Sequence, residues 1–173
     1  ASDVGFTGAF SAAGSFPISS AIHTTAKATL ATVSFATAGS VDAAPAPASD
    51  LKVWSSMVTV SGTNGAYLNA FRVRNTGSIA ASDIKNWRLY VGSVQRGNAV
   101  EGQDANGYVT FDLSANPLKL NANTHEFKVV ADLVGGTSRT ITVGLKSTAD
   151  AVFTDPDYSQ SILPTLDAVS YTH

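Results

Sequence analysis

Three aspartates crowd one stretch, Thr148-Ala-Asp-Ala-Val-Phe-Thr-Asp-Pro-Asp-Tyr-Ser159. Asp150, Asp155 and Asp157 are hard oxygen ligands, and in a loop such a set is what calcium takes. Asp104, with Asn106 in Gln-Asp-Ala-Asn-Gly-Tyr, offers a second set. Neither loop has the glycine-punctuated spacing of an EF-hand. Asp and Asn are also the residues whose short side chains bond the backbone of turns. Both loops therefore read first as turns, with calcium the one ion they are suited to hold. The histidines, His23, His125 and His173, have no i, i+4 or carboxylate partner in sequence. No serine sits in a nucleophile elbow and no glycine loop cradles phosphate. The expectation is a protein that is not an enzyme and takes no organic cofactor. Trp54 and Tyr90 are the best aromatic candidates for stacking on a sugar. Trp87 alternates in phase with Leu89 and Val91, which marks it as core.

The segments carrying these residues have strand period. Val33 and Phe35, preceded by Leu30, anchor a first strand. In Leu51–Gly62 the apolar phase runs Leu51, Val53 and then Val58, Val60, so a bulge is expected near Ser55-Ser56. Thr63-Asn64-Gly65 signals a hairpin into Ala66–Asn75. There Tyr67, Asn69, Phe71 and Val73 alternate with Leu68, Ala70, Arg72 and Arg74. Ala81–Asn86 can form one helical turn capped by Ser82. Trp87–Gly92 and Tyr108–Leu113 are strands, and Pro117–Leu120 is a short edge piece. His125–Leu133 and Arg139–Leu145, joined through Gly135-Gly136, read as a hairpin. Ala151–Thr154 and Ser161–Leu166 follow, with Pro164 keeping the latter at an edge. Spacings of roughly 8 to 14 residues without helical period point to an all-β fold, an antiparallel β-sandwich of about eight strands.

The N-terminal end differs in texture. In Asp3–Phe10, Val4, Phe6, Gly8 and Phe10 fall on every second position, yet no nearby turn gives that strand a hairpin partner. Gly5, Gly8, Gly14 and Pro17 exclude a pilin-type helix. Up to Asp50 the only charged residues are Asp3, Lys27, Asp42 and Asp50, and Pro45 and Pro47 impose an extended linker. The division expected is an N-terminal extension at residues 1–26, a candidate donor strand, and a β-sandwich domain at 27–173.

Only 14% of the 173 residues are charged and the net charge is -2, well below the roughly one quarter charged of common domains. With no basic run, nucleic acid is not an expected partner. No stretch approaches the ~18–20 apolar residues of a membrane-spanning helix, so membrane insertion is not expected. Cysteine is absent. The Thr/Ser-rich, Lys/Glu-poor composition suits an exported protein, secreted or on a cell surface. Ala1 suits the residue after a small-residue cleavage site. No Asn-x-Ser/Thr sequon occurs.

Ala81-Ser-Asp-Ile-Lys-Asn-Trp-Arg-Leu-Tyr90 and the stretch from Asn116 to Leu133 carry a resemblance. They resemble the immunoglobulin-like sandwich modules repeated in large surface, surface-layer and fibre proteins of uncultured bacteria. The similarity spans about Ala28 to Thr154. It implies an immunoglobulin-like sandwich and a structural role, and it transfers no catalytic residues. The reading that joins these expectations is a subunit of an extracellular filament or surface layer. Self-association would proceed by strand addition through Val4, Phe6, Gly8 and Phe10, the other course being that this segment folds back as the first strand of its own sandwich. The alternative is a carbohydrate-binding or adhesin module that meets cell-surface glycans through Trp54 and Tyr90.

Overall fold

The computed structural model describes residues 29–37, 39, 42 and 47–167. Val4, Phe6, Gly8 and Phe10, the extension at 1–26, His23 and His173 lie outside these. Twelve strands run through the described residues: β1 Thr32–Phe35, β2 Ala48–Ser61, β3 Ala66–Asn75, β4 Ile84–Val91, β5 Val94–Val100 and β6 Tyr108–Asp112. After them come β7 Leu118–Leu120, β8 Thr124–Leu133, β9 Val143–Gly144, β10 Ala151–Thr154, β11 Ser161–Ile162 and β12 Thr165–Leu166. A 3-10 turn at Thr148–Asp150 is the helical element among them.

One sheet has the order β12-β1-β2-β8-β4-β5, the other β11-β10-β3-β6, with β7 and β9 also on β3. All pairings are antiparallel except β1 with β12. The molecule is all-β, two mostly antiparallel sheets consistent with a β-sandwich. Alternation explains the layers: Val109, Phe111 and Leu113 are buried while Thr110 and Asp112 are exposed, and Trp87, Leu89 and Val91 are buried in the same way. Aromatic rings lock the sheets together. Phe35 and Trp54 of the first sheet meet Phe71 of the second at centroid distances of 6.2 and 5.3 Å, and Phe127 lies edge-on to Phe35 at 6.0 Å.

Several expectations are corrected. Leu30 is 39% exposed and does not anchor β1. The register of β2 against β8 shifts twice, between Ala48 and Leu51 and at Val53 between Lys52 and Trp54, and neither shift falls at the serines. Ser55 and Ser56 are buried, and the Ser56 hydroxyl donates to the Ala36 carbonyl at 2.7 Å. In β3 a bulge at Asn69 shifts the phase, so Ala66, Leu68, Phe71 and Val73 share the core side. Thr63-Asn64-Gly65 does turn the chain, but β2 and β3 belong to different sheets and form no hairpin. Gly65 has φ +70°, and a Cβ there would collide with the Leu120 carbonyl. Ala81–Asp83 is a turn closed by the Asp83 N–H on the Ala80 carbonyl at 3.0 Å; it is not helical, and β4 begins at Ile84. Gly135-Gly136 likewise joins strands of different sheets, β8 and β9. β5 has no counterpart in the sequence reading, because Gln95, Arg96 and Asn98 break the apolar alternation on a solvent-facing edge.

Candidate functional site

Both sheets thin out on one side. β1 would be an edge strand but for β12, which pairs with Ser34 and Phe35 alone. Thr32 and Val33 have no strand partner on that flank among the described residues. On the facing sheet, β11 covers only Phe153 and Thr154 of β10. Leu163-Pro164 carries the chain across from β11 to β12, since proline cannot donate to a ladder and marks where pairing breaks. The gap left between β1 and this crossing is a groove of about 510 Å³ lined by Leu30, Thr32, Val33, Ile162 and Leu163 among others. Leu163 is 75% exposed, the most exposed large apolar side chain described. No described residue lining the groove is charged. Such an uncharged slot, its aliphatic side chains interspersed with Ser and Thr hydroxyls, beside an unpaired strand flank is chemically suited to accept an extended chain, through main-chain bonds to β1 and side-chain contact with the walls.

The aspartates build the framework next to it. Asp155 is buried, and its Oδ2 accepts the Ala31 N–H at 2.8 Å. Oδ1 accepts the N–H groups of Asp157 and Tyr158 at 2.9 and 3.2 Å. The Ala31 N–H foremost, then those of Asp157 and Tyr158, hold this carboxyl below the usual carboxylate range against the opposing effect of burial. Asp157 accepts both bonds from the Asn64 amide at 2.7 and 2.9 Å, tying the β2–β3 turn to this corner. Asp150 lies elsewhere on the sheet. Its Oδ1 takes the Arg72 guanidinium at 2.6 Å, and its Oδ2 takes the Lys146 and Ser147 N–H groups at 2.7 and 2.9 Å. Asp104 accepts the N–H groups of Asn106 and Tyr108, both at 2.8 Å, as an Asx turn does. No group of three or more His, Asp or Glu suited to a metal occurs among the described residues. Asp155 and Asp157 share one corner, but Asp150 and Asp104 lie apart from it, and each of the four binds backbone or a side-chain partner.

The aromatic platform is corrected. Trp54 is 0% exposed, packed on Phe71 between the sheets, and its Nε1 has no hydrogen-bond partner among the described residues. The bulge at Val53 turns it inward. Tyr90 stays on the outer face, with the Lys128 ammonium 5.6 Å from its ring centroid. Trp87 is core, as its phase implies. His125 is half-buried on β8, with Nε2 2.9 Å from the Asn121 carbonyl.

Sequence reasoning missed a polar knot where the Ala81–Tyr90 stretch meets Ala131-Asp132-Leu133. Asp132 accepts from the Asp50 N–H at 3.0 Å, the Asn86 amide at 2.9 Å and the Arg88 guanidinium at 2.5 Å. Burial works against its charge, but these donors outweigh it and hold the carboxyl below the usual range. Asp50 and Asn86 have φ of 55° and 51°, and both strands flanking β8 are bulged here. The knot explains why an Asp, an Asn and an Arg accompany the core residues of that motif. Comparison with protein-family models, with curated proteins and with solved structures finds no match. What the fold and site define is a class: an all-β molecule with a bonded acidic corner and an open uncharged edge.

Proposed function

We propose that this chain is a non-enzymatic structural subunit of an extracellular filament or surface layer, an immunoglobulin-like module that associates with copies of itself by strand addition. The observation that carries the reading is the thin edge: β11 and β12, two residues each, guard the flank of the sandwich that the N-terminal sequence approaches at Thr29 and Leu30. Sheet edges left this open invite pairing with another chain. Asp104, Asp132, Asp150, Asp155 and Asp157 are held by backbone and side-chain donors of turns and strands. The neutral, hydroxyl-rich composition fits a surface that meets copies of itself without long-range repulsion. Sedimentation velocity and negative-stain microscopy of the full chain across a concentration series test the reading. Filaments or sheets growing with concentration are expected. A strictly monomeric chain at every concentration refutes it, and so does turnover of a glycoside, ester or peptide that one Asp or His substitution removes.

A further inference from the structure

We propose that the groove between β1 and the β11–β12 crossing is the acceptor for residues Asp3–Phe10 of a second copy, laid alongside Thr32 and Val33; this rests on the strand-addition reading above. Three features converge on that occupant. The first is geometric. β12 pairs with Ser34 and Phe35 only, so an added strand continues its line along β1 and stands between the two sheet edges. The second is chemical. The described lining of the groove is uncharged, aliphatic side chains mixed with Ser and Thr hydroxyls, and Asp3–Phe10 alternates Val4, Phe6 and Phe10 with small residues and has Asp3 as its single charge. Burial of one against the other strands no ion. The third is the tether. Residues 11–29 separate Phe10 from Leu30, nineteen in all. Folding the segment back onto its own β1 would put nineteen residues into one connection, whereas structureless loops longer than about 12–15 residues are uncommon in compact domains. Between copies, the same nineteen residues form a spacer reaching up to about 65 Å.

Register fixes the test. With Val4, Phe6, Gly8 and Phe10 turned inward beside Val33, Thr7 or Ala9 stands on the outer face beside Thr32, since side chains alternate and adjacent-strand Cβ atoms lie about 4.5–5.5 Å apart. The chain has no cysteine, so introduced thiols report without background. Full-length Thr32→Cys is mixed with full-length Thr7→Cys or Ala9→Cys under mild oxidation, with Val94→Cys on the far edge strand β5 as control. A covalent dimer at Thr32 and not at Val94 is the expected result. Leu163→Asp, exposed and therefore compatible with folding as a melting curve verifies, is expected to raise the concentration needed for assembly by about tenfold or more, because it sets an unpaired carboxylate in the covered groove. Assembly that persists in Leu163→Asp without any Thr32 cross-link overturns the groove while leaving strand addition standing elsewhere. An Ala9→Cys/Thr32→Cys double variant that closes only within one chain at every dilution overturns the second copy as occupant. A chain that never assembles removes the underlying reading as well.

Discussion

Asp155 shows how one carboxylate can be structural and titratable at once. It holds the entry to β1 through Ala31 and the β10–β11 corner through Asp157 and Tyr158. Its folded pKa is depressed, so its contribution is present above the unfolded value near 3.9 and is lost as pH falls through the folded one. Asp132 and Asp112 are shifted in the same direction, Asp112 by the Ser114 hydroxyl and N–H. The melting temperature is therefore expected to hold from neutrality to about pH 5 and to drop steeply below about pH 4. Asp155→Asn should melt lower at pH 7 but lose less on acidification. Parallel curves for the two proteins would deny Asp155 this role. Trp54 poses the opposite case, a buried polar atom without a partner among the described residues. Trp54→Phe gives up no hydrogen bond and is expected to cost under about 1.5 kcal/mol, whereas Trp54→Ala opens a cavity costing about 3–5 kcal/mol. Denaturant unfolding of both variants separates packing from polarity.

At the scale of elements, alternation was legible wherever one face is buried and the other wet, as in Trp87–Val91 and Tyr108–Leu113. Pairing was not. Thr63-Asn64-Gly65 and Gly135-Gly136 specify that the chain reverses, which is local chemistry, but the partner of each strand is set by burial across the whole sandwich. The bulge in β2 was legible as a phase change and misplaced by about two residues, because small serines bury as readily as they expose. β5 was invisible since its side chains face solvent and its ladder with β4 is a backbone matter. The open groove had one trace in the sequence, the apolar Leu163 set against Pro164. Asp132 left none, because the left-handed Asp50 and Asn86 beside it are conformations and not residue types. Its three donors mean that Asp132→Ala should destabilise the fold by about 2–4 kcal/mol, leaving the Asn86 amide unpaired and the Arg88 guanidinium with only the exposed Asp50 carboxylate, 3.1 Å away. Asp132→Asn, which keeps one acceptor, should fall between. Chemical denaturation measures the order, and an Ala variant as stable as the parent would reduce the knot to decoration.

For the whole molecule, the decisive question is whether the sandwich needs Asp3–Phe10 to fold or only to associate. The described residues already join the two sheets through Phe35, Trp54, Phe71, Phe127 and Phe153, all buried, and the β1 entry is fastened by Asp155 from the opposite sheet. An added strand contributes main-chain bonds and the burial of two phenylalanines and a valine. At about 1.5–3 kcal/mol for each large apolar side chain, that amounts to several kcal/mol before ordering entropy is subtracted, enough to hold copies together at moderate concentration. Removing residues 1–20 is therefore expected to leave a cooperatively melting monomer that no longer assembles, and the free 1–20 peptide should bind it without restoring polymers. Gly8 falls in phase with Val4, Phe6 and Phe10, so a larger side chain there would add bulk to the face that the proposed insertion turns inward. Gly8→Leu should block assembly while the melting curve of the dilute chain stays unchanged, and Phe6→Asp should do the same by burying a charge. If the truncated chain instead unfolds at all concentrations while the dilute parent remains a stable monomer, the strand completes its own sandwich. The open edge would then serve the subunit itself, and growth by strand exchange would have no free donor to begin from.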